Sequence, residues 1–217
     1  DAGKVSDYVH YHDTLLQVIY CWKGWVRIVY EDQGPPLVMK AGDCILQPPS
    51  IRHRVLESSA NLEVVEVSYP ANHKTFSDRS LSLPTPRPRL PREFGGQRFL
   101  HHQISNAKWK PYRISGFNSR DTGINSATKG FASVHIVKSD TRYPEQEWCH
   151  NAALLFVCIL SGSLTLTHER INIDTLSTGD ACILPPAKNY KYSNCSENLQ
   201  LLEVSLPGNF KTKIVRD

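Results

Sequence analysis

Three histidines and a glutamine in the first quarter of the chain stand at a spacing that can build a metal site. His10 and His12 are one residue apart, Gln17 follows, and His53 comes after Gly42-Asp43 and Pro48-Pro49. In an extended strand alternate residues share a face, so His10 and His12 project to the same side. Gln17 can then enter from the next stretch, and His53 from a strand that starts after the Pro-Pro turn. Three imidazoles and an oxygen donor suit a divalent transition metal such as iron, manganese, nickel, copper or zinc. A glutamine offers only a neutral carbonyl oxygen. The site then keeps more of the ion's positive charge than one with a carboxylate, and Gln17→Glu is expected to tighten metal binding.

The elements that must carry these residues are short, β-rich and repeated. Asn61-Leu62-Glu63-Val64-Val65-Glu66-Val67-Ser68-Tyr69-Pro70 is matched by Asn198-Leu199-Gln200-Leu201-Leu202-Glu203-Val204-Ser205-Leu206-Pro207, an offset of 198 − 61 = 137. At the same offset Asn72, Lys74 and Thr75 meet Asn209, Lys211 and Thr212; Gly42-Asp43 meets Gly179-Asp180, and Pro48-Pro49 meets Pro185-Pro186. Upstream, Gly24 pairs with Gly162, one residue out of that register. Agreement at this many positions marks a tandem duplication. The apolar runs predict strands over 15–20, 25–30, 44–46 and 62–67 in one copy, and over 154–160, 163–167, 181–184 and 199–205 in the other. Gly, Pro and Gly-Asp turns separate them, a pattern of antiparallel barrels or sandwiches. The expected organisation is a first barrel over 1–76 with the metal site, a proline-rich connector over 77–95, and a second barrel over 96–217. Little sequence precedes His10, so an open barrel edge and a homodimer are expected.

The second copy lacks the ligand set. His12 maps to His150, but His10 maps to Trp148, Gln17 to Leu155 and His53 to Tyr190. The second barrel is therefore expected to be structural, with Tyr190 hydrogen-bonded to His150. Gln47 maps to Leu184 in the second copy and, as a polar residue in place of an apolar one, is a candidate pocket residue in the first barrel. His73, His101, His102, His135 and His168 lie outside the ligand spacing and read as surface or structural residues.

The order His10, His12, Gln17, Gly24, then Gly42, Pro49 and His53, resembles the paired motifs of the cupin superfamily, G-x5-H-x-H-x3–4-E-x6-G and G-x5-P-x-G-x2-H-x3-N. Gln17 stands at the glutamate position. The glycine before the first histidine and the final asparagine are absent. The resemblance covers most of both repeats. It implies an all-β protein of two tandem RmlC-like jelly-roll barrels, a bicupin, and makes His10, His12, Gln17 and His53 the ligands of one metal per chain.

Composition narrows the function. Hydrophobic residues make up 40% and charged residues 21% of 217 residues, and the net charge of +4 is dispersed. No basic run suggests nucleic acid, and no apolar run reaches the roughly 20 residues of a membrane helix. The six cysteines form no C-x-x-C pair and read as packed thiols of a cytoplasmic protein. A small-molecule ligand or substrate is the expected partner. Two functions fit: a metal-dependent oxidoreductase, most simply a dioxygenase on a small organic acid, diketone or aromatic, or a non-catalytic cupin that binds small molecules or metal or serves as a storage protein.

Overall fold

The computed structural model describes residues 3–4, 7–140, 146–168 and 171–215. The chain divides into two units, Asp1–Asn106 with Ala127–Lys129, and Ala107–Ser126 with Gly130–Asp217. The first holds β1 (Gly3–Lys4), β2 (His10–Asp13), β3 (Leu16–Lys23), β4 (Trp25–Tyr30), β5 (Leu37–Lys40), β6 (Cys44–Leu46), β7 (His53–Ser58), β8 (Glu63–Tyr69), β9 (Lys74–Ser77), β10 (Glu93–Phe94), β11 (Gln97–Arg98) and β12 (Leu100–His102). The second holds β13 (Lys110–Pro111), β14 (Phe117–Asp121), β15 (Ser133–Ser139), β16 (Trp148–His150), β17 (Leu154–Ser161), β18 (Ser163–His168), β19 (Ile171–Ser177), β20 (Ala181–Ile183), β21 (Tyr190–Ser193), β22 (Gln200–Leu206) and β23 (Thr212–Ile214).

Each unit is built on a pair of antiparallel sheets, and the first adds a small β10-β11 hairpin. In the first, the order β5-β4-β7-β2-β9 faces β12-β6-β3-β8, and Cys21, Val26, Ile28, Tyr30, Met39 and Ile45 from both sheets close on one another as the core. The second repeats this order as β19-β18-β21-β16-β23 and β20-β17-β22. Register repeats with it: Gln17 lies opposite Ser68 as Leu155 lies opposite Ser205, and His10 opposite His53 as Trp148 lies opposite Tyr190. One glycine of each copy has a steric reason. Gly24 and Gly162 take φ of 71° and 76°, and a Cβ on either would lie 2.2 Å from the hydroxyl of Ser59 or Ser196.

The repeats differ at their edges. In the second unit β22 is flanked by β17 and β15, and β14 and β13 follow. In the first, β8 pairs with β3 alone among the described residues, and Val64 and Tyr69 are 42% and 46% exposed. Among the described residues neither pair of sheets is closed by strand pairing into a continuous barrel. The first unit also takes in residues that the proline pattern assigned elsewhere. Leu100–His102 pairs with β6, Leu100 opposite Leu46, so part of the stretch read as second barrel lies in the first unit. The proline-rich stretch is held to that unit as well. Arg92 Nη1 reaches Glu31 at 2.7 Å and Asp32 at 2.6 Å, and the Asp32 amide donates to Thr85 Oγ1. Proline content sets backbone stiffness, but the interleaved arginines decide docking, because Glu31 and Asp32 are buried and need cations. The six cysteines are free thiols.

Candidate metal centre

The site is built where β2 meets its two neighbours. β2 pairs with β7 at His10 opposite His53, and with β9 through His12 opposite Thr75. Alternation along β2 puts both of its histidines on the inner face. The ring centroids of His10 and His53 lie 4.2 Å apart, those of His10 and His12 5.2 Å, and those of His12 and His53 5.3 Å. One ring nitrogen from each lies within 4.8 Å of the others.

The orientation of the three rings is set from behind. His10 Nδ1 is 2.9 Å from the Tyr8 carbonyl, His12 Nδ1 is 2.9 Å from Thr75 Oγ1, and His53 Nδ1 is 3.1 Å from the Ile51 carbonyl. A carbonyl oxygen can only accept, so the Nδ1 atoms of His10 and His53 carry the protons and their Nε2 atoms keep the lone pairs, that of His53 facing Gln47 Nε2 at 3.3 Å. The same tautomer suits His12, with Thr75 accepting. A metal-ligating histidine needs this arrangement: one nitrogen held by an outer acceptor, the other available. Burial, and then the charge of His10, push His53 down to about 3. Burial also lowers His12, with His10 and His73 adding to it and Glu66 opposing. Both imidazoles are therefore neutral near pH 7, the state a metal requires.

Gln17 and Gln47 are each only 2% exposed and lie beside the triad in one hydrogen-bonded row. Tyr30 Oη donates to Gln47 Oε1 at 3.0 Å, Gln47 Nε2 to Gln17 Oε1 at 2.7 Å, and Gln17 Nε2 to Glu66 Oε1 at 2.8 Å. Gln47 Nε2 is also 3.3 Å from His53 Nε2, so Gln47 is an interior residue that touches a triad nitrogen. Gln17 thus stands beside the triad with one oxygen lone pair already engaged. The sequence assigned no role to three residues here: Tyr30 caps the row, Thr75 orients His12 and Glu66 ends the row. His73, read as a surface or structural residue, has its ring 5.5 Å from that of His12. Glu66 and Thr75 had a legible signal, since both recur in the second copy as Glu203 and Thr212.

The second unit fills the same place with side chains. Trp148, Leu155 and Tyr190 are at most 1% exposed and belong to its core. Tyr190 does not hydrogen-bond to His150, as the repeat suggested. Its hydroxyl donates to the Pro185 carbonyl at 2.7 Å, and its ring stacks on His150 at 5.7 Å. The reason is register: the short turn after Pro185-Pro186 returns the Tyr190 hydroxyl to the turn's own backbone. Arg113 supplies the cation here, pairing with Glu203 through Nη1 at 2.7 Å and through Nη2. Among the described residues His10, His12 and His53 form the one group of histidine, cysteine or carboxylate side chains that could hold a metal.

No protein-family model matches the chain, and no curated protein matches it in sequence. Solved structures do. A salicylate 1,2-dioxygenase variant from Pseudoaminobacter salicylatoxidans superposes with a TM-score of 0.68 at 12% identity, over 98% of this chain and 72% of the other. A structure of that dioxygenase as its gentisate adducts gives a TM-score of 0.63 at 14% identity, over 99% and 70%. An oxalate decarboxylase variant from Bacillus subtilis gives 0.63 at 14% identity, over 99% and 69%. Both kinds of enzyme are bicupins. This chain has the two-barrel cupin fold. Bicupin folding accounts for the repeated strand order in both units. No helix among the described residues is long and apolar enough to cross a membrane.

Proposed function

We propose that this bicupin binds one divalent transition metal in its first barrel through His10, His12 and His53, with Gln17 as a fourth, neutral ligand, and that it is a dioxygenase-type oxidoreductase acting on a small organic acid. The observation that carries the reading is the convergence of one ring nitrogen from each of three histidines within 4.8 Å, with His10 and His53 held at Nδ1 by backbone carbonyls. The likeness to salicylate 1,2-dioxygenase and oxalate decarboxylase structures supports a small acidic substrate. The bound ion would supply Lewis acidity and, with a redox-active metal, oxygen chemistry. The chain's own residues do the rest. Tyr8, Ile51 and Thr75 hold the rings, and the Tyr30–Gln47–Gln17 row keeps the wall beside the triad polar. The second barrel takes no part, because Leu155 offers no donor atom and Trp148 and Tyr190 occupy the space. We also propose a homodimer, supported by the unpaired β8 edge.

The test is metal content of the purified full chain, followed by oxygen-uptake screening with aromatic and aliphatic acids. One equivalent is expected, lost in the His10→Ala/His53→Ala double variant and retained in His150→Gln. Two equivalents, or metal that survives the double substitution, refutes the site. One equivalent without turnover on any acid leaves the binding or storage role as the function.

A further inference from the structure

We propose that Glu66 carries the negative charge of the first barrel's metal centre and acts on the ion through the Gln17 amide as a positioning residue. This rests on the metal reading above and adds to it the residue that balances the charge. Three neutral imidazoles and a glutamine leave the charge of a divalent ion uncompensated, in a place where His53 is 5% and Gln17 2% exposed. An uncompensated charge in such surroundings is costly. Glu66 is the carboxylate next in line. Its Oε1 accepts from Gln17 Nε2 at 2.8 Å and from Ser68 Oγ at 3.1 Å, both neutral donors. Among the described residues no cation pairs with it.

The repeat provides an internal comparison. Glu203 occupies the Glu66 position in the second barrel, and Thr212 the Thr75 position. There Arg113 spans the two, with Nη1 2.7 Å from Glu203 and Nε 2.8 Å from Thr212 Oγ1. In the first barrel Thr75 is taken by His12, and among the described residues the exposed Glu66 carboxylate has the Gln17 amide and the Ser68 hydroxyl as its hydrogen-bond partners. Both barrels thus place a carboxylate at the same register position, but Glu203 is buried whereas Glu66 is exposed on β8. The second barrel meets its carboxylate with a guanidinium, and the first reaches its own through the Gln17 amide.

The hydrogen-bond row has a direction that fits this role. Tyr30 donates to Gln47, Gln47 to Gln17, and Gln17 to Glu66, so every donor points toward the carboxylate. A chain of aligned amides polarises cooperatively when an anion ends it. Each amide oxygen then gains negative character, and Gln17 Oε1 becomes a better donor to a cation than an isolated amide. Gln17→Glu is therefore not expected to tighten binding, contrary to the ligand inventory taken alone. It would remove the donor to Glu66 and set two carboxylates in contact.

The experiment is calorimetric titration of the metal-stripped full chain with Ni²⁺ near neutral pH, with the unfolding midpoint of each metal-free variant measured alongside. Glu66→Gln keeps an oxygen for Gln17 and removes only the charge. It is expected to bind Ni²⁺ roughly ten- to a hundredfold more weakly, the usual range for loss of an outer-sphere partner. Glu66→Asp, which keeps the charge, should lose less. Gln17→Glu should bind no tighter than wild type, and Gln17→Glu/Glu66→Gln, which returns one charge to the pair, should regain wild-type affinity or better. Undiminished binding by Glu66→Gln, tighter binding by Gln17→Glu alone, or no rescue in the double variant would overturn the role of Glu66 and leave the triad standing. Failure of the wild type to bind Ni²⁺ would overturn the metal site and this role with it.

Discussion

Replacing Arg113 with methionine removes the guanidinium of the second barrel and leaves Glu203, 2% exposed, without its cation. The side chain gives up two hydrogen bonds to Glu203 and one to Thr212. Methionine restores part of the packing against Tyr112 and Phe210, whose rings lie 4.4 and 4.5 Å from the guanidinium carbon. Breaking one side of a buried ion pair costs about 3–5 kcal/mol, because the remaining charge is stranded. With a urea dependence of about 1.5 kcal/mol per molar, the midpoint should fall by roughly 2–3 M. Fluorescence of Trp109 and Trp148, in a background with Trp22 and Trp25 changed to Phe, reports this unit. The pH dependence adds a second signature. In the wild type burial opposes ionisation of Glu203, but Arg113 outweighs it and holds the carboxyl below its ordinary range. Its contribution is present above the unfolded carboxyl pKa and is lost as pH falls through the lower folded value. Without Arg113 burial, opposed only by the Tyr112 hydroxyl and by His135, raises the carboxyl, so the variant should recover stability on acidification from neutral pH toward about 5, where the wild type gains nothing from this group. The double variant with Glu203→Met as well should regain most of the loss. A single variant within about 1 kcal/mol of wild type, or one that weakens further on mild acidification, would refute the view that Arg113 is the cation of the second barrel.

His53 makes the metal-free protein acid-sensitive. Its folded pKa of about 3 lies below the ordinary 6.5, so the unfolded chain takes the proton first and stability falls as pH drops through that window, by about 2 kcal/mol between pH 7 and pH 5. Urea midpoints under chelation should show this slope, and His53→Asn should lack that part of it; equal slopes would remove His53 as the cause. Sedimentation at micromolar concentration should give a dimer, with Val64→Lys on the exposed β8 strand shifting it toward monomer; a wild-type monomer ends the homodimer proposal.

Much of the fold was legible because it is encoded locally and twice. Gly24 and Gly162, Pro48-Pro49 and Pro185-Pro186, and the matching runs at Leu62 and Leu199 mark the same turns and strands in each repeat. Strand alternation also put His10 and His12 on one face before any partner strand was known. What the sequence could not decide were matters of partnership. Gln47 was a candidate pocket residue only by its contrast with Leu184, and its partners Tyr30, Gln17 and His53 come from strands that meet it in the fold. The prolines of 77–95 suggested a connector, whereas Arg92 binds that stretch to Glu31 and Asp32, residues some sixty positions away. Tyr190 was expected on His150 and instead returns to Pro185. Glu66 was visible only as one letter of a repeat. Its meaning depends on whether a cation stands beside it, and Arg113 does so for Glu203 from ninety residues upstream. Ligand type and spacing are properties of short segments, so sequence alone identified the histidine triad as a candidate. Charge compensation and side-chain orientation come from strands that meet only after the chain has folded, because interactions at a few ångströms depend on distance in space rather than distance along the chain.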